Sequence, residues 1–166
     1  LEQFVVDSTF GPSELILEAG SDDATLGAGS GGGVLLHLGE GAPPVTLAGF
    51  ILRGSVVLNS TDTNSRLHIR NCTWLAGSQP RRRALASSHE RHSGLVVEAG
   101  RAELRRVEFL LFHTSALVVR GGDVTVSDGI FAYNQAERGA AAQVMAGMLT
   151  IIRGVIEHNV AHLAGG

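Results

Sequence analysis

The densest cluster of reactive side chains lies in residues 79–92, where Arg81, Arg82, Arg83 and Arg91 stand with His89 and His92. Guanidinium groups grip sulfate, uronate or phosphate oxygens through paired N–H bonds, so these four arginines form an anion-binding candidate. No aromatic residue is interleaved with them, and the same composition suits a solvated loop. Asn59-Ser60-Thr61 and Asn71-Cys72-Thr73 both satisfy the N-glycosylation pattern. If used, Asn59 and Asn71 imply a secretory route in a eukaryotic cell. His158 and His162 are four residues apart, a spacing that pairs metal ligands on a helix, but they fall in the turn region after a strand, and no metal or cofactor is indicated. Cleavage of a glycosidic bond needs carboxylates converging on one face. Glu103, Glu108, Asp128 and the Asp22-Asp23 pair occupy different positions of the pattern described next, so no catalytic residue is assigned.

That pattern is a repeat. Leu15-Ile16-Leu17-Glu18-Ala19-Gly20 returns as Leu95-Val96-Val97-Glu98-Ala99-Gly100 and, loosely, as Leu117-Val118-Val119-Arg120-Gly121-Gly122. Taking the last apolar residue of each such strand predicts a first column of Leu17, Leu38, Leu58, Val97, Val119 and Val144. A second column holds Leu26, Leu47, Ile69, Leu104, Val126 and Ile151, and a third holds Leu52, Trp74, Phe109, Phe131 and Ile156. The second column advances by 21, 22, 35, 22 and 25 residues, a period near 22 with extra residues in one connection. Val-Thr-Val and Leu-Val-Val runs alternate with period two and glycine recurs every few residues, which disfavours helix. Three short strands per period cannot bury a face alone, yet stacking their columns at about 4.8 Å per turn buries one. The expectation is an all-β solenoid, a parallel β-helix of about six coils with three short strands per coil. A β-sandwich is the competing architecture.

Composition agrees. The 166 residues are 44% hydrophobic and 17% charged with 22 glycines, which describes a Gly-punctuated aliphatic chain rather than a disordered one. One domain spanning 1–166 is expected, with 79–92 as its Arg-rich insertion. A net charge of -3 argues against a nucleic-acid partner. The single Cys72 excludes an internal disulfide. No uncharged run is long enough for a membrane-spanning helix. The absent initiator Met and the strand-like Phe4-Val5-Val6 near the start lead us to expect a segment of a longer chain.

Residues 124–136, Val-Thr-Val-Ser-Asp-Gly-Ile-Phe-Ala-Tyr-Asn-Gln-Ala, resemble the right-handed parallel β-helix repeat of the pectin-lyase-like superfamily, in the form found in polymorphic outer-membrane-protein and adhesin-type repeats. Phe131-Ala132-Tyr133-Asn134 matches their Phe-x-x-Asn motif, and Ile156-Glu157-His158-Asn159 matches with Ile for Phe. Gly139-Ala140-Ala141 and Gly165-Gly166 partly match their Gly-Gly-Ala-Ile motif, whereas Phe109-Leu110-Leu111-Phe112 and Trp74-Leu75-Ala76-Gly77 keep the aromatic and lose the Asn. The resemblance is clearest over 94–166. It implies a right-handed coil, and the scaffold carries lyases, glycosidases, adhesins and inert rods alike.

Asn134 and Asn159 take equivalent turn positions, which predicts a structural amide ladder along the axis. The middle residues of the first strands, Ile16, His37, Val57, Val96, Val118 and Gln143, point outward in this register. Val57, Val96 and Val118 then form an apolar stripe suited to packing against another protein chain or an adjacent β-helix domain. The expected role is a non-catalytic structural or adhesive module of an extracellular or cell-surface assembly, such as a filament, appendage or envelope layer. The alternatives are a fragment of a polysaccharide lyase or glycosidase and a β-helix that binds acidic or neutral polysaccharide.

Overall fold

A computed structural model of the chain describes residues 4–6, 14–21, 24–27, 33–62, 65–76 and 93–164. Within these residues every regular element is a β-strand and every strand pairing is parallel. The Arg-rich segment 79–92 lies outside them. No helix is long and apolar enough to cross a membrane.

Parallel partners cannot be joined by a tight hairpin, so the chain must travel before it pairs again. It does so by alternating between sheets. A six-stranded sheet runs through Phe4–Val6, Val34–Leu38, Ser55–Asn59, Leu95–Ala99, Leu117–Val119 and Ala142–Val144. After each of these strands the chain crosses into a ten-stranded sheet, whose main path is Leu15–Glu18, Val45–Ala48, Arg66–Leu75, Arg101–Leu110, Asp123–Ser127 and Met148–Ile152. Strands Thr25–Gly27, Ile51–Arg53, Ile130–Ala132 and Val155–Glu157 complete that sheet, and Gln135–Arg138 pairs separately with Val160–Ala164. The result is an all-β stack compatible with a β-solenoid.

The expected columns hold from Leu47 onward, since Leu47, Ile69, Leu104, Val126 and Ile151 are partners in successive pairings. At the N-terminal end the register differs from the expectation. Leu17 pairs with Leu47, and Leu26 pairs with Leu52, so both belong one strand later than the repeat suggested. Ile16 accordingly stands over Thr46, and Val5 takes its place in the column of His37 and Val57. The cause is physical: an apolar triplet closed by Ala-Gly fits either sheet, and the choice is made by which neighbour it stacks on.

The two ten-residue strands show how one chain keeps its core face through a bend. In Arg66–Leu75 the buried residues are Leu67 and Ile69, then Cys72 and Trp74, and in Arg101–Leu110 they are Ala102 and Leu104, then Val107 and Phe109. The step of three between the halves comes from one left-handed residue, Asn71 at φ 51° and Arg106 at φ 52°, with Asp128 and Arg153 repeating it at 56° and 53°. A left-handed residue outside glycine costs of order 1–2 kcal/mol, offset here by burial on both sides of the bend. A different turn requires glycine: at Gly122 (φ 76°) an added Cβ would lie 2.2 Å from the Gly100 carbonyl oxygen, and at Gly147 (φ 83°) 2.1 Å from that of Gly122.

Aromatic residues fill the third column. Trp74, Phe109 and Phe131 are fully buried and stack with centroids 4.8 and 4.9 Å apart, nearly parallel, at the spacing of adjacent strands. Ile156 continues the column at Phe131 and is 53% exposed.

Candidate functional site

Side chains that alternate outward from the ten-stranded sheet form rows across neighbouring strands. One row runs Thr46, His68, Glu103, Thr125 and Thr150, in register. Beside it stand Arg70, Arg105 and Ser127. All of these but Thr150, together with Glu14, line a shallow groove of about 490 Å³. Four of its charged groups already have partners. Thr46 Oγ1 donates to Glu14 Oε1 at 2.9 Å, and His68 Nδ1 lies 3.6 Å from Glu103 Oε2, an ion pair only when the imidazole is protonated. Arg70 reaches Glu18 Oε1 at 3.5 Å.

The same habit extends around the molecule. Arg120 donates to Glu98 at 2.7 Å, Arg101 lies 3.9 Å from Asp123, and Thr73 Oγ1 donates to Glu108 at 3.2 Å. Arg153 grips Asp128 with both Nε and Nη2, at 2.6 and 3.0 Å. That guanidinium, first by its hydrogen bonds and then by its charge, holds the Asp128 carboxyl below its usual value, and Asp128 in return raises Arg153. Exposed pairs of this kind add little stability, because water and salt screen them. The sequence pattern puts Glu108 and Asp128 in different columns and does not reveal the partners of any of these acids. The missed signal was spacing: Glu98 to Arg120 and Arg101 to Asp123 are each 22 residues apart, one period of the repeat.

Asn134 and Asn159 come together as an amide ladder. Asn134 Nδ2 donates to Asn159 Oδ1 at 2.9 Å and to the Phe109 carbonyl at 3.1 Å, while its own Oδ1 accepts from the Phe112 amide at 3.0 Å. Asn159 repeats the arrangement one strand on, donating to the Phe131 carbonyl at 2.7 Å and accepting from the Asn134 amide at 3.0 Å. Asn134 is 1% exposed, so its amide satisfies backbone groups that water does not reach.

Val57, Val96 and Val118 occupy one row of the six-stranded sheet. Val57 and Val96 are half-buried, and Val118 is 6% exposed, covered within the chain itself. Asn59, at the end of its strand, and Asn71, in its left-handed bend, are both exposed. Cys72 is buried against the Arg70 carbonyl at 3.3 Å, and burial pushes its thiol above the ordinary value despite backbone hydrogen bonds that oppose the shift. His158 stacks on Tyr133 with centroids 4.9 Å apart, and His162 Nε2 lies 2.8 Å from Gln135 Nε2. Among the described residues no group of three His, Cys, Asp or Glu side chains is placed to hold a metal ion. Arg81, Arg82, Arg83 and Arg91 lie outside those residues. Compared with known proteins, the chain matches no family model, no curated protein and no solved structure.

Proposed function

We propose that this chain is a right-handed parallel β-helix of the pectin-lyase-like type, with one coil for each strand of its six-stranded sheet, serving as a non-catalytic structural or adhesive module of a secreted or cell-surface assembly. The observation that carries this reading is how its polar side chains are used. Glu98 with Arg120, Asp128 with Arg153, Thr73 with Glu108 and Asn134 with Asn159 each join one strand to the next along the stack. A catalytic site leaves reactive groups free to meet a substrate, whereas a rod uses them to bind its own turns together. The exposure of Asn59 and Asn71 favours a secreted route, since glycosylation needs accessible sequons. Val57 and Val96 offer a half-buried apolar strip for a neighbouring chain or β-helix domain.

The test places a photo-crosslinking residue at position 57 or 96 in the protein at its natural location. Adducts with a protein neighbour are the expected result. Absence of adducts, together with release of new chain ends from polysaccharide, overturns the reading in favour of a lyase or glycosidase fragment. The groove bearing His68, Glu103, Arg70 and Arg105 is the feature that favours that second reading, or polysaccharide binding without turnover.

A further inference from the structure

The outward face of Arg66–Leu75 and Arg101–Leu110 carries guanidinium groups in facing pairs. Arg66 stands opposite Arg101, and Arg70 opposite Arg105, with His68 and Glu103 between them. Partner strands lie about 4.8 Å apart, and like charges directly opposite are destabilising, so an anion shared between two such arginines relieves the pair. The acids nearby are taken up elsewhere or supply this only in part. Glu14 accepts from Thr46, and Glu103 faces His68. Glu18 reaches one nitrogen of Arg70 at 3.5 Å, leaving its remaining N–H donors, and Asp123 lies 3.9 Å from Arg101. The charge of Arg105 helps to keep Asp128 ionised, but both oxygens of that carboxylate already accept from Arg153. Arg66 and Arg105 are exposed and have no hydrogen-bond or ion-pair partner among the described residues. The hydroxyls of Thr125 and Ser127 are likewise without one, and both line the groove with Arg105. Each acid beside the groove thus has a partner while donors are left over, and such a surface receives an acceptor.

We propose that this groove binds a sulfate ester of a polysaccharide through Arg70, Arg105 and Ser127, and that the Arg66–Arg101 pair takes a second ester further along the same polymer. This rests on the adhesive form of the proposed function, polysaccharide binding without turnover, and names the group that is bound. Three features choose it. First, Arg70, Arg105 and Ser127 are register partners on three successive strands, so their donors approach one ligand from three positions. A sulfate ester offers three terminal oxygens pointing in different directions, one for each donor. A carboxylate offers two oxygens in one plane, which a single guanidinium fork satisfies, so a uronate engages one arginine and leaves the other.

Second, the two arginine pairs are four residues apart on the same extended strands, a separation of about 13 Å. That suits a polymer carrying anionic groups at intervals, and a shallow groove lets one run along the strands.

Third, the site lies on the face of a sheet. An extended acidic peptide is held by main-chain bonds at a sheet edge, whereas Arg66–Leu75, Arg101–Leu110 and Asp123–Ser127 each pair on both sides and have none to give. No Phe, Tyr or Trp among the described residues lines the groove to stack a base, which disfavours single-stranded nucleic acid. A sulfated sugar chain needs neither an edge nor a stacking ring.

The experiment titrates the chain, by calorimetry at physiological salt, with dextran sulfate and with polygalacturonate of matched charge. Dextran sulfate is expected to bind about tenfold more tightly than the carboxylate polymer. Arg105→Gln should weaken that binding about tenfold, the loss of one set of charge-assisted bonds, and adding Arg66→Gln should weaken it further. Both side chains are exposed, so the variants should keep the fold, which circular dichroism checks. Arg105→Lys keeps the charge without the fork and should also bind more weakly. Equal binding of the two polymers, or an Arg105→Lys variant that binds as the wild type does, overturns the proposal in favour of general charge attraction. Binding lost in a variant with Arg81, Arg82 and Arg83 all changed to Gln, and unaffected by Arg105→Gln, overturns it in favour of residues 79–92. Release of new chain ends from the bound polymer overturns binding without turnover. Crosslinks from positions 57 and 96 without any dextran sulfate binding overturn this site and leave the assembly reading standing.

Discussion

Trp74, Phe109 and Phe131 on one side and Ile156 on the other occupy the same column of the same sheet, yet the three aromatics are fully buried and Ile156 is 53% exposed. Local sequence does not explain the contrast, since each sits in the same strand position and faces the same way. What differs is whether a strand lies on both sides. In a stack of this kind burial belongs to the neighbours a residue has along the axis, so the core is a property of repetition.

The largest test of this comparison is Phe109→Ala against Ile156→Ala. Phe109 lies between two stacked rings, and its truncation should cost about 3–5 kcal/mol in urea unfolding. The same change at Ile156 should cost under about 1 kcal/mol, and equal losses would break the argument. The amide ladder offers a second pair. Asn134→Ala leaves the Phe112 amide and the Phe109 carbonyl without their buried partner and should cost about 2–3 kcal/mol by the same measurement. Asn159→Ala, whose bonds are only part-buried, should cost about half as much. Gly122→Ala should destabilise by about 1–3 kcal/mol, because its φ of 76° and the Gly100 carbonyl leave no room for a methyl group.

The smallest effect concerns Asp128. Its carboxyl titrates below the usual value because of Arg153, so its contribution is present above the unfolded carboxylate pKa and is lost as pH falls through the lower folded value. Carbon-detected NMR of the Asp128 carboxyl should show that depressed midpoint, and Arg153→Gln should return it toward the ordinary range. An unchanged midpoint in Arg153→Gln would remove the ion pair as the cause.

Much of the architecture could be read from residue spacing alone. The columns through Ile69, Leu104 and Val126 follow from period-two alternation repeated at a period near 22 with one insertion, because only a stack of parallel strands buries all of them together. The amide ladder was legible for the same reason, as equal motif position means equal place in the stack. The outer face was less legible. Opposite charges one period apart become ion pairs only once the register is known, and extra residues shift that register, as between His68 and Glu103, which pair at a separation of 35 rather than 22. Val118 shows the same limit: an outward position in the pattern is nonetheless covered by the chain.

The sequence by itself determined that the chain would be all strands, that they would stack through apolar columns, and that Asn134 and Asn159 would meet, because alternation and repeat length are local quantities that survive without coordinates. Only the tertiary structure decided the placement of Leu17 and Leu26, the pairing of the surface charges and the exposure of the last strands. Each of those depends on which strand lies next along the axis, and a short apolar triplet is compatible with several neighbours until the whole stack selects one.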